Sequence, residues 1–195
     1  MLKLARLNGK PEIFHSIQGE GRSIGVPSVF VRTSLCNLHC IWCDTDYTWN
    51  WKNTRFEHVK DKQPGYHKFD KKQWIAECDL EEIAAVVAAY NCDNVILTGG
   101  EPMLQQVQLY ELMQRLRRQN ANYRFEVETN GTILPNTFFE QTVDQYNVSP
   151  KLENSNNTRK LREKPAVLRF FSASPKANFK FVIAGKQDLQ EVLEL

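Results

Sequence analysis

Three cysteines stand at positions 36, 40 and 43, inside the stretch SLCNLHCIWCDTDYTWN that begins at residue 34. Thiols separated by three and two residues can converge on one metal centre, because a tight loop lets the backbone curl around it. Two chemistries are open at this point. Zinc takes four ligands in a structural site, and His39 supplies a fourth on paper, although as the direct neighbour of Cys40 it converges awkwardly. A cubane 4Fe–4S cluster usually takes four cysteines, so three leave one iron open to a substrate or cofactor. Asp44 and Thr45 follow the last cysteine at once, and a carboxylate beside a hydroxyl suits a hard, oxygen-seeking cation. Cys78 and Cys92 stand apart and read as ordinary, partly buried thiols. Five is an odd count, and three of the five are clustered, which argues against a disulfide framework.

A frame must hold this loop. Val29, Phe30 and Val31 read as a short buried strand leading into it. Asp79 with Glu82 three residues later is a capping box opening a helix through LEEIAAVVAAYN. NVILTG follows as a buried parallel strand. Leu109, Leu112, Met113 and Leu116 share one face of a helix over 104–119. Tyr123, Phe125 and Val127 alternate as a third strand that stops at Asn130-Gly131. A fourth strand covers Val143 to Val148, a short helix Ala166–Phe171, and a fifth strand 178–184, before a final helix begins at DLQEVLEL. Residues 52–73 are polar and lysine-rich and read as a solvated insertion.

Strand alternating with helix implies a parallel sheet with right-handed crossovers. Every distinctive motif follows a predicted strand, and in parallel α/β architectures that edge is where ligands bind. The chain of 195 residues reads as a single domain spanning 1–195. Its net charge of +2 is too small for binding nucleic acid or a membrane surface by bulk electrostatics. No stretch is long and apolar enough to span a bilayer or to act as a leader, so a cytoplasmic location is expected.

The C-x3-C-x2-C spacing, with Trp42 before the last cysteine, resembles that of the radical S-adenosylmethionine (SAM) superfamily, and TGGEP at 98–102 resembles its glycine-glycine-glutamate element. Together with SIQGEG (16–21), FVR (30–32), CDTDYTW (43–49), ETNG (128–131) and VSPK (148–151), these motifs resemble the 7-carboxy-7-deazaguanine synthase family, in order from residue 11 to residue 184. The resemblance implies a partial parallel βα barrel of about five to six strands, smaller than the full eight-stranded form. It implies a 4Fe–4S cluster on Cys36, Cys40 and Cys43, SAM on the open iron, and Mg2+ at Thr45. A deoxyadenosyl radical would abstract a hydrogen from 6-carboxytetrahydropterin, whose ring then contracts to 7-carboxy-7-deazaguanine with loss of ammonia.

Carried over position by position, Trp42, Asp44, Gly99, Gly100, Glu101, Ser149, Pro150 and Lys151 would serve SAM. Ile17, Gln18, Gly19, Glu20, Arg32, Thr98 and Glu128 would serve the pterin. A flavodoxin or ferredoxin as reductant and a homodimer are implied in the same way. Two features depart from the family: Leu35 stands where a glycine often precedes the first cysteine, and the C-terminus is short, with His67 the last histidine. Two other readings use the same residues. One is an activating enzyme that installs a glycyl radical on a protein partner; the other is a zinc-stabilised binding module.

Overall fold

Alternation along the central strands sets the architecture, which a computed structural model describes over residues 1–195. The chain opens with β1 (Leu2–Leu7), β2 (Lys10–Pro11) and β3 (Ile13–Ile17), none of which the periodicity reading predicts. β4 (Pro27–Thr33) leads to the cysteine loop, and the short helix α1 (Lys71–Trp74) runs directly into β5 (Ile75–Cys78). Then come α2 (Leu80–Ala88), β6 (Asn94–Gly99), α3 (Gln106–Gln119), β7 (Arg124–Thr129), α4 (Thr137–Thr142) and β8 (Gln145–Val148). The one-turn α5 (Arg159–Arg162), α6 (Pro165–Ala173), β9 (Ala177–Phe179) and α7 (Lys186–Glu194) complete the order.

β4, β6, β7, β8 and β9 lie side by side and parallel, within the five to six strands expected. On the outer side of β4 the sheet continues antiparallel through β3 and β1, and β1 carries β2 and β5. The sheet is therefore an open, partial barrel whose edges are not joined by a ladder. One face is apolar: Val29, Val31, Val95, Leu97, Phe125 and Val127 are buried with Ile83 and Val87 of α2 and Leu109, Leu112, Met113 and Leu116 of α3. Because strand side chains alternate, Arg32, Thr98, Glu126, Glu128 and Asn147 fall on the other face. That row is polar and mostly buried, which is costly for a structural core and fits a site.

Several boundaries differ from the sequence reading for local reasons. Asp79 caps α2 by accepting from the Glu81 amide at 2.8 Å, without the reciprocal contact from Glu82. α2 stops at Ala88, and Asn91 beyond it takes a left-handed backbone, φ 49°. Val143 closes α4 rather than opening β8. β9 is three residues long; after it the Lys180 amide donates to the Val148 carbonyl at 2.8 Å, and the ladder ends there because β8 ends at Val148.

The 52–73 insertion is largely solvated, as read from the sequence, and its lysines face solvent wholly or in part; what the sequence did not show is that residues between them pack onto the cysteine loop. His58 is 3% exposed, and its Nε2 lies 2.9 Å from the Cys43 carbonyl. The Val59 amide donates to the Ile41 carbonyl at 2.8 Å, and the Phe56 ring stacks on His39 at 3.4 Å. Asp46, also buried, holds the insertion through Lys60 (3.0 Å) and through Tyr66. The half-buried Phe56 and Tyr66 rings supply part of that packing.

Candidate active site

The C-terminal ends of the parallel strands open into a cavity of about 470 Å³. Cys36, Cys40 and Cys43 all line it, on the loop that leaves β4. The loop is tied down from several sides. The Leu35 amide donates to the Thr48 carbonyl at 2.9 Å, and Asn37 bridges to Thr132 (2.8 Å) and Asn130 (2.9 Å) on the turn after β7. Leu35 itself sits at φ 77°, in the left-handed region where a glycine costs nothing and a leucine about 1–2 kcal/mol. The departure from the family's glycine therefore falls on a position whose backbone favours glycine.

Gly99 ends β6 and Gly100 follows it, and both line the same cavity. Both are needed by the chain's own packing. A Cβ on Gly99, which has φ 133°, would lie 2.0 Å from the Thr33 carbonyl oxygen. One on Gly100 would lie 2.1 Å from the Leu35 carbonyl oxygen. Their absence lets the Gly100 and Glu101 amides donate to the Thr33 (3.1 Å) and Leu35 (2.8 Å) carbonyls, joining the cysteine loop to β6.

Glu101 does not line the cavity. It is fully buried below it, accepting from the Met103 amide (2.9 Å), the Thr129 hydroxyl (2.8 Å) and the Asn130 amide (2.7 Å). Burial pushes its pKa up against the pull of these three donors. Pro150 is likewise buried behind the lining, whereas Ser149 and Lys151 reach it. Lys151 donates to the Ser149 hydroxyl at 2.8 Å, and its ammonium stands 5.8 Å over the Trp42 ring. All the other residues expected at the site border this one cavity.

Its far wall is built by residues 17–20, which leave β3 and turn across the polar face of the sheet. Gln18 donates to Glu128 at 3.2 Å, and Thr98 donates to the other Glu128 oxygen at 2.6 Å. Burial raises the Glu128 pKa, opposed by those two donors. A Cβ on Gly21 would meet the Asn147 amide oxygen at 2.2 Å, so this turn too requires glycine. Glu20 pairs with Lys180 just beyond β9. Arg32 points into the cavity and is held by Glu12 at 2.8 Å; Glu12 also accepts from Tyr47 at 2.8 Å. Lys180, Asn147, Trp49 and Asn130 also line the cavity, although none was singled out from the sequence. Asn130 and Trp49 stand inside the quoted ETNG and CDTDYTW elements, Asn147 one residue before VSPK, and Lys180 in a strand read only for periodicity.

The donor set discriminates between metals. The three thiols are free, yet no three His, Cys, Asp or Glu side chains converge tightly enough to hold one ion. Three thiols bordering one cavity suit a cluster that leaves one iron open, whereas a structural zinc needs a fourth protein ligand. His39 stacks on Phe56 and meets Trp49 edge-on, outside the cavity lining, and burial lowers its pKa to about 4. The zinc reading thereby loses its fourth ligand. Burial raises the pKa of Cys36, with Glu101 beneath it adding to the shift, and raises that of Cys40 to about 11. Binding iron must therefore displace protons from the loop. Asp44 and Thr45 line the cavity with oxygen donors, as a magnesium ion that keeps most of its waters requires.

Comparison with known proteins agrees with this geometry. The Radical SAM superfamily model matches residues 30–193. The chain is 38% identical over 183 residues to the 7-carboxy-7-deazaguanine synthase of Pyrobaculum aerophilum, covering 93% of this chain and 69% of that protein. The synthase of Hyperthermus butylicus is 32% identical over 183 residues, covering 94% and 68%. The crystal structure of QueE from Escherichia coli superposes with a TM-score of 0.63 at 26% identity, covering 94% of this chain and 74% of that one.

Proposed function

The chain belongs to the 7-carboxy-7-deazaguanine synthase family of the radical SAM superfamily, and from that premise we propose that it converts 6-carboxytetrahydropterin to 7-carboxy-7-deazaguanine. One observation carries the reading: three free thiols, a glycine-glycine turn, an oxygen pair and a buried, partly charged polar wall all border a single cavity at the strand ends. A glycyl-radical activating enzyme needs a groove for a peptide backbone, and nothing about the polar wall formed by Gln18, Thr98 and Glu128 serves that need.

Cys36, Cys40 and Cys43 would hold a 4Fe–4S cluster, Trp42, Gly100, Ser149 and Lys151 the SAM, and Thr45 with Asp44 the magnesium. Bound there, the cluster and SAM supply the one-electron chemistry that starts hydrogen abstraction. The chain's own residues do the rest by position. Arg32, held by Glu12, faces an anionic or polar edge of the pterin. Glu128, kept in place by Thr98 and Gln18, faces its guanidine-like edge. Leu38, Trp42 and Trp49 line the cysteine side of the cavity and exclude water from it. Electrons arrive from a flavodoxin or ferredoxin, and two copies of the chain form a dimer; light scattering checks the second point.

The test is anaerobic. Protein reconstituted with iron and sulfide is given SAM, reductant, magnesium and 6-carboxytetrahydropterin, and products are read by mass spectrometry. 7-Carboxy-7-deazaguanine is expected. Cleavage of SAM to 5′-deoxyadenosine without that product would overturn the substrate assignment, and failure to assemble a cluster would overturn the reading of the cysteines.

A further inference from the structure

We propose that Asn157 is a positioning residue: it holds an N–H donor on the Cys40 sulfur and so sets how readily the cluster accepts an electron. The proposal rests on the reading of Cys36, Cys40 and Cys43 as cluster ligands. Asn157 lies just before α5, 117 residues from Cys40 in sequence, and its Nδ2 is 3.4 Å from the Cys40 Sγ. Both residues are buried, at 8% and 6% exposed.

The direction of the amide follows from its other partners. Its Oδ1 accepts from the His39 amide at 2.9 Å, so the nitrogen end is the one turned to the sulfur. The second hydrogen of Nδ2 has the Ser155 hydroxyl at 3.2 Å. The same segment clamps the rest of the loop. The Ile41 amide donates to the Ser155 carbonyl at 3.0 Å, and the Trp42 indole donates to the Asn154 carbonyl at 2.9 Å. Cys40 and Asn157 are thus held in register by contacts on both flanks. The other two sulfurs have only local partners: the Leu38 amide at 3.5 Å from Cys36, and the Thr45 hydroxyl at 3.6 Å from Cys43. Cys40 alone receives a side-chain donor delivered from a distant part of the chain.

Added charge on a reduced cluster spreads onto its ligand sulfurs. A donor aimed at one of them stabilises the reduced state more than the oxidised state, and burial strengthens the effect. The electron comes from an external one-electron donor and lowers the cluster charge state by one. The Asn157 hydrogen bond is present before and after, and no covalent bond changes.

Asn157→Asp is the sharpest variant, because it keeps an oxygen for the His39 amide and replaces the N–H donor by an oxygen. In the reconstituted holoenzyme, a potentiometric titration with redox mediators, read by the electron paramagnetic resonance of the reduced cluster, measures the midpoint. The reduction equilibrium should move about tenfold or more toward the oxidised cluster, about 59 mV lower for one electron, at unchanged iron and sulfide content. Asn157→Ala, which adds no charge, should move it the same way by less. Midpoints equal to the parent's in both variants, even with a lower Tm, would leave Asn157 a merely structural role and overturn the proposal. If neither variant retains a cluster, the unsubstituted protein decides: with asparagine labelled in its side-chain nitrogen, the reduced cluster should show hyperfine coupling to an exchangeable N–H, and its absence would overturn the proposal. A parent protein that assembles no cluster sinks the reading beneath it, and the proposal with it.

Discussion

Glu101 is fully buried and has no spare oxygen, which separates a role in the fold from the role in SAM binding that its place in TGGEP suggests. Glu101→Gln keeps the shape but exchanges one acceptor oxygen for an NH2 group. If the amide oxygen stays with the Met103 amide and the Thr129 hydroxyl, the new nitrogen faces the Asn130 amide, donor against donor, across what is now 2.7 Å. A charge-assisted hydrogen bond is lost, worth about 1.5–3 kcal/mol, and a buried N–H is left unpaired at a similar cost. These losses overlap, so the expected destabilisation is about 3 kcal/mol. In a chain of this size each kcal/mol lowers Tm by about 2–4 °C, so a fall of about 6–12 °C follows. Urea unfolding of the reduced apoprotein, followed by circular dichroism, should show a lower midpoint with an unchanged slope. SAM affinity of the variant that remains folded and reconstituted should stay within about threefold of the parent's, given that Glu101 does not reach the cavity. Stability within about 0.5 kcal/mol of the parent, combined with a tenfold loss of SAM affinity, would refute this placement of Glu101.

Three further outcomes are expected. Gly99→Ala and Gly100→Ala each drive a Cβ to within 2.0 and 2.1 Å of backbone oxygen, and each should cost about 3 kcal/mol or more in the same urea assay. Leu35→Gly relieves the left-handed strain of about 1–2 kcal/mol against about 0.5–1 kcal/mol of added unfolded-state entropy, so a small gain in stability is expected; a loss above about 1 kcal/mol would show that the leucine side chain matters more than the backbone. On the proposed reading Glu128 meets a guanidine-like edge as a carboxylate; burial raises its pKa, so kcat/KM should then fall as pH drops through a value above the usual glutamate range. Glu128→Gln should flatten that acid limb and raise KM about tenfold or more, and an unchanged limb would assign it to another group.

The parallel strands were legible because β6, β7 and β8 bury both faces, leaving short runs of apolar or alternating residues with glycine or proline at their ends. β2 and β3 were not, since β3 is half exposed and β2 is only two residues long, too short for any period to register; β1, LKLARL, does alternate at its start and was overlooked. The cysteine loop could be read once its spacing was joined to the motifs downstream, since its three thiols lie within eight residues of one another. The partners of that loop could not. Asn157 and His58 are single polar residues in polar stretches, and what gives them meaning is a distance across the fold. Lys180 and Asn147 were missed for the same reason, each being placed by strand register rather than by a local motif. Glu101 shows the converse: its motif was visible, but burial decides which way its carboxylate faces.

The cysteine loop is gripped from one flank by residues 58–59 and from the other by residues 154–157. Cys36, Cys40 and Cys43 leave the ribosome early, whereas the second grip is made more than a hundred residues later. The loop therefore has its full support only once residues 154–157 have been made, and until then the three thiols stand on a loop held from one flank alone.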